Sequence, residues 1–213
     1  MAADMVRHGK KVADIGTDHA YLPVYLVLND ISPACIAADL REKPLENAQE
    51  TIKLYSVEDK VTTVLSDGLS ELSPESADDF IFCGMGGILI AELLEKAPWI
   101  KNPEKRLIIQ PMRHCEAVRK YLCENGFEII KEDATEDDNR LYICINAEYT
   151  GKNDTCNHYT GKLDTKNPYA LRYLQTQYNR IKKRYDALKK ADIKNDEQAE
   201  LYDILRSFEE CIK

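Results

Sequence analysis

Five short apolar runs, residues 11–15 (KVADI), 34–39 (ACIAAD), 61–65 (VTTVL), 79–83 (DFIFC) and 106–110 (RLIIQ), each stop at a polar residue or a glycine. Helical spacing fills the gaps between them, over 21–29, 43–55, 88–96 and 116–125. Strands without in–out alternation are buried on both faces, and buried strands joined by helices build a mainly parallel α/β sheet. The stretch 126–149 (GFEIIKEDATEDDNRLYICINAEY) departs from that rhythm, because two strand-like pieces follow each other with no helix between them. It predicts a terminal antiparallel pair.

After Tyr149 the polar, turn-rich segment TGKNDTCNHYTGKLDTKNP marks a boundary, giving an α/β domain over 1–150 and a helical domain over 151–213. Leu171, Leu174, Tyr178, Ile181, Tyr185 and Leu188 step by alternating threes and fours, a heptad seam. The segment ADIKND interrupts it, and Leu201, Ile204 or Leu205, Phe208 and Cys211 or Ile212 resume it, so an antiparallel coiled-coil hairpin is expected. Whether that seam closes within one chain or between two stays open, although a monomer is expected.

The net charge of −8 argues against a nucleic-acid partner until its distribution is considered. Between Lys166 and Lys194 stand nine basic residues and two acidic ones, a local charge of +7 on an otherwise acidic chain. Such an arm, with tyrosines interleaved, suits RNA phosphates. No run of about 18 apolar residues is present, so no membrane span is expected. MAADMVRHGKK lacks the apolar core of a signal peptide, which points to the cytoplasm. Seven cysteines, none in C-x-x-C spacing, are expected to be reduced thiols, mostly core filler, and no metal site is expected.

Chemistry concentrates where the runs end. In an open parallel sheet, ligands sit beyond the carboxyl ends of the strands. The first run ends in Asp14, Gly16, Thr17, Asp18 and His19; Gly16 permits a tight turn and a close approach to a ligand. The second ends at Asp39 and Leu40, with a carboxylate placed for ribose hydroxyls. The third ends in Ser66, Asp67 and Gly68, placed for an adenine edge, and the fourth in CGMGG, with Gly84, Met85 and Gly86 lying against the ligand. A pyrophosphate cofactor would want G-x-G-x-x-G, whereas Asp18 would repel phosphate. Asp14 and Asp18 suit a cation, so S-adenosyl-L-methionine, with an ammonium, a sulfonium and a ribose diol, is the expected cofactor.

VADIGTDHAYLP, CGMGG, LIIQP and the ENGFEI lead closely resemble the bacterial tRNA (adenine 22-N1)-methyltransferase family. The resemblance implies a Rossmann-like class I methyltransferase sheet with a C-terminal coiled coil, S-adenosyl-L-methionine as donor and the N1 of an adenine in tRNA as acceptor. It departs in two places: family members carry a further helical stretch where this chain has only MAADMVRH, and an Asn where Met112 follows Gln110 and Pro111. On this reading Asp18 stabilises the charge that moves to the base, and His19 contacts the target or relays a proton. Tyr21 stacks on a base, with packing against the sheet as the alternative, and Gln110 and Pro111 face the same crevice. Arg180, Lys182, Lys183, Arg184, Lys189 and Lys190 engage tRNA phosphates. A methyltransferase acting on a small molecule or protein, and a non-catalytic RNA-binding protein of the same fold, remain the alternatives.

Overall fold

The computed structural model describes residues 1–191 and 195–213. Seven strands form one sheet: β1 (Val12–Ile15), β2 (Cys35–Asp39), β3 (Val61–Leu65), β4 (Asp79–Gly86), β5 (Arg106–Arg113), β6 (Phe127–Asp137) and β7 (Arg140–Tyr149). Their order is β3-β2-β1-β4-β5-β7-β6. The first five are parallel; β7 runs antiparallel to β5, and β6 antiparallel to β7. Helices α1 (Tyr21–Leu28), α2 (Glu42–Leu54), α3 (Gly87–Glu95) and α4 (Cys115–Glu124) connect the parallel strands or lead out of them, as the spacing predicts.

Two strands outrun their apolar cores. β4 continues through Cys83-Gly84-Met85-Gly86 and β5 through Pro111-Met112-Arg113, with register shifts around Met85. Hydropathy shows only the buried half of such strands, because their ends leave the core and meet the ligand side. Gly87 closes this extension: a Cβ there would overlap the carbonyl oxygen of His114, so only glycine lets α3 start against the end of β5.

Helix α5 (Pro168–Lys190) and helix α6 (Asp196–Ile212) form the hairpin. Asn167 and Asn195 cap them by accepting from the amides of Tyr169 and Gln198, and Pro168 occupies the first turn of α5, where its missing N–H matters least. Ile181 and Leu188 are buried with Ile204, Leu205 and Phe208, and Tyr178 meets Phe208 edge-on. The seam closes within one chain. Of the expected turn ADIKND, residues 192–194, Lys194 included, lie outside the described residues.

The apolar core runs without a break from the sheet into the base of α5, where Ala170, Tyr173 and Leu174 are buried in the same cluster as Phe127, Ile129 and Ile143. The polar segment 151–167 packs down as well. Thr160 and Leu163 are buried, and Cys156 is joined to Cys123 of α4 by a disulfide. This corrects the expectation of seven reduced thiols. The two cysteines stand 33 positions apart, and only the folding of the coil onto α4 brings them together. The other five are free. Among the described residues, no helix is long and apolar enough to cross a membrane, and no three candidate ligands are grouped to hold a metal.

Candidate active site

Strand order reverses beside β1, which is flanked by β2 on one side and β4 on the other, and a crevice opens there at the carboxyl ends. A cavity of about 470 Å³ fills it. The loop after β1 is held by paired amides: Gly16 and Thr17 both donate to the carbonyl of Ala38, at 2.8 and 2.9 Å. Gly16 has φ +81°, and a Cβ there would press on the Sδ of Met85. Thr17 Oγ1 accepts from the amide of Ala20 at 3.2 Å and so closes the loop ahead of α1, whose N-terminus carries no side-chain cap. Asp18 takes no part in capping either. Its carboxylate is 73% exposed, with His19 Nε2 at 3.6 Å.

Of the residues expected to hold the cofactor, Gly16, Asp18, Asp39, Leu40, Asp67, Gly68, Gly84 and Met85 line this cavity. Asp39 Oδ1 accepts from the amide of Arg41 at 2.8 Å, which orients the carboxylate and leaves Oδ2 without a partner among the described residues. Ser66 shapes the next wall by donating to the carbonyl of Gly68 at 2.9 Å and accepting from the amide of Glu71 at 3.2 Å. Leu40, Met85, Leu89 and Leu93 supply apolar surface. Three carboxylates, Asp18, Asp39 and Asp67, and one arginine, Arg41, line it, the arginine side chain being 75% exposed. Such a field attracts a cationic ligand and repels a pyrophosphate.

Asp14, Thr17 and Gly86 do not line the cavity. Strand alternation turns Asp14 to the face that packs against α1, where it is buried and receives a hydrogen bond from Thr17. Burial pushes its carboxyl up to about 6, the Thr17 bond only partly opposing the rise. Gly86 serves as the residue that caps α3.

Around the mouth, the His19 and Tyr21 rings stack at 5.1 Å between centroids. Tyr21 is 65% exposed, which removes the alternative that it merely packs against the sheet. Gln110 is committed elsewhere: its Oε1 accepts from the amide of Gly84 at 3.0 Å, so it braces the glycine segment. Pro111, one residue on, points to the other side of the strand and lines a second cleft, as alternation along β5 requires. It does not share the crevice, contrary to expectation.

The basic run on α5 does not form one face. At about 100° per residue, Arg180 and Arg184 fall on one flank, Lys182 and Lys189 on the other, and Lys183 and Lys190 opposite the seam. Arg184 already pairs with Glu197 at 2.9 Å, and Lys182 lies 5.7 Å over the Tyr178 ring. Composition alone missed Arg113 and Arg140, which stand outside the run but open onto the second cleft with Arg180.

A mainly parallel open sheet with an acidic, partly apolar cavity at its switch point defines an α/β protein of Rossmann-like class with its candidate ligand site at the strand ends. A family model described as a methyltransferase domain matches residues 1–145, and the chain belongs to that family. It is 34% identical over 146 residues to the tRNA (adenine(22)-N(1))-methyltransferase of Bacillus subtilis, an alignment covering 68% of this chain and 61% of that protein. The chain therefore spans about three-fifths of the length of the curated relative. The crystal structure of the Bacillus subtilis m1A22 tRNA methyltransferase TrmK superposes with a TM-score of 0.86 at 26% identity, over 100% of this chain and 96% of the other. A Streptococcus pneumoniae structure in complex with S-adenosyl-L-methionine gives 0.85 at 26% identity, over 100% and 96%.

Proposed function

We propose that this chain transfers the methyl group of S-adenosyl-L-methionine to N1 of an adenine in tRNA, at position 22. The observation that carries the reading is the likeness to the Bacillus subtilis m1A22 enzyme along the whole chain, helical hairpin included. The cavity supports the donor: its carboxylates suit a cation, the free Oδ2 of Asp39 suits a ribose diol, and the strand-end glycine at position 16 leaves room for close approach. When bound, the donor supplies an electrophilic methyl group on a sulfonium.

The chain's residues then divide the remaining work. Asp39 holds the ribose, Asp67 and Gly68 meet the adenine edge, and Leu40 and Met85 cover its faces. Asp18 sits at the mouth, where a carboxylate favours positive charge on the base being methylated. The N1 lone pair of adenine lies in the ring plane and is free at neutral pH, so no strong base is required. What the protein must provide is alignment. The stacked His19 and Tyr21 rings offer a platform for the target base, a contact worth about 1–3 kcal/mol.

Two measurements test this. Tritium from labelled donor is expected in tRNA transcripts carrying adenine at position 22 and not in transcripts where another base replaces it; equal labelling of both, or of neither, overturns the proposal. Asp39→Asn keeps an acceptor for the Arg41 amide but loses the charge. It is expected to weaken donor binding by about 1.5–3 kcal/mol, roughly tenfold to a hundredfold, in isothermal titration. Unchanged affinity would remove Asp39 from the site.

A further inference from the structure

We infer that the cleft between the carboxyl end of β5, the β6–β7 hairpin and α5 is a phosphodiester-binding subsite, in which Arg113, Arg140 and Arg180 grip the RNA backbone beside the target adenine. The inference rests on the RNA substrate proposed above and adds the place where its backbone is held. The cleft has a volume of about 430 Å³. Four arginines line it; Arg172 is paired with Glu136, and the other three come from separate elements: Arg113 ends β5, Arg140 begins β7, and Arg180 stands midway along α5. All three are exposed.

None of the three makes an ion pair among the described residues, and the one acid that lines the cleft with them, Glu116, is turned to a histidine. Glu116 faces His114 Nδ1 at 3.0 Å, and Glu136 takes both terminal nitrogens of Arg172 at 2.8 and 2.9 Å. In a chain of net charge −8, three unpaired guanidinium groups converging on one cavity are a positive island. Like charges so placed repel unless an anion lies between them, and the planar fork of arginine matches paired phosphate oxygens. Pro111 and Tyr173 give the cleft a buried floor, so the charges point outward rather than into the core.

Position relates the cleft to the catalytic cavity. Arg113 is paired in register with Gly86, and Gly84 and Met85, just before it on β4, line the donor cavity. The two openings therefore flank one strand end. A nucleotide whose base enters the first leaves its flanking phosphate above the β4–β5 rim, within reach of the second. Of the basic residues on α5, Arg172 and Arg180 line this cleft, Arg172 being paired with Glu136, and Lys183 and Lys190 face away from the seam.

The test uses the full chain and unmodified tRNA transcript, with no donor present, in filter binding across about 50–200 mM salt. Arg113→Gln, Arg140→Gln and Arg180→Gln are made singly and together. The triple variant is expected to bind tRNA about tenfold more weakly or worse, with a salt slope shallower by about two to three, since each lost phosphate contact removes nearly one. Each single variant shows roughly a third of the slope change, which settles the matter if the triple variant folds poorly by its melting curve. Wild-type affinity and slope in the variants overturn the inference. So does a pattern in which inorganic pyrophosphate loses binding in the triple variant while tRNA does not, because the cleft would then serve a free anion. Binding is read without turnover, so a protein that grips tRNA through these arginines yet methylates nothing refutes the proposed reaction and leaves the subsite standing.

Discussion

Arg119→Ala is expected to lower the stability of the protein by about 3–5 kcal/mol, read as a fall in the urea midpoint. Arg119 on α4 is 1% exposed and Glu132 on β6 is fully buried; Nε lies 2.8 Å from Oε1 and a second guanidinium nitrogen 3.3 Å from Oε2. The third nitrogen donates to the carbonyls of His158 and Tyr159 at 3.1 and 3.0 Å, while Glu132 Oε2 also accepts from the amide of Lys162 at 2.9 Å. Removal of the arginine leaves a buried carboxylate with no counter-charge, held only by the Lys162 amide, and two carbonyls without partners. The double variant Arg119→Met/Glu132→Leu is expected to recover most of the loss, because the dominant penalty is the uncompensated charge. A single variant within about 1 kcal/mol of wild type would show that water reaches the site and that the pair does not hold the coil. The same cluster explains Gly161, where a Cβ would collide with both Glu132 and Arg119.

Asp14→Asn is expected to stabilise the ligand-free protein at pH 7 by up to about 3 kcal/mol. Burial is the main cause of the raised carboxyl pKa, about 6 against an ordinary 3.8. Between those pH values the folded chain keeps the proton that the unfolded chain has released. Stability contributed at this position is therefore greatest below about pH 4, falls as pH rises, and carries the full penalty above about pH 6. Wild-type protein should lose stability across that window, and the variant should show a flatter profile. Urea unfolding at pH 4.5 and about 7 decides it. A variant less stable than wild type at pH 7, with an unchanged slope between the two, would mean that Asp14 is charged and held by partners.

The element sequence was legible because hydropathy reports burial, and four of the five parallel strands have a buried stretch, the edge strand β3 being only partly covered. Gly84 to Gly86 and Pro111 to Arg113 were not legible as strand, since the apolar pattern stops before them. Strand ends carrying Asp18, Asp39 and Asp67 pointed to one cavity, and the cavity contains all three. Asp14 could not be separated from Asp18 by spacing alone. Strand alternation and the loop closed by Thr17 and Ala20 separate them, sending one behind the loop and leaving the other at the mouth.

Local chemistry determined, from the residues themselves, where strands, glycine turns and helices fall, that the ligand end is acidic, and that the last fifty residues pair as two amphipathic helices. Such features depend on neighbours within one or two turns of chain. Tertiary packing alone decided that Cys123 meets Cys156, that a polar coil covers a buried ion pair, and that Arg113, Arg140 and Arg180 converge on one cleft. Each of these joins groups tens of residues apart, and no periodicity along a chain encodes which distant surfaces will close on each other once the sheet has set their spacing.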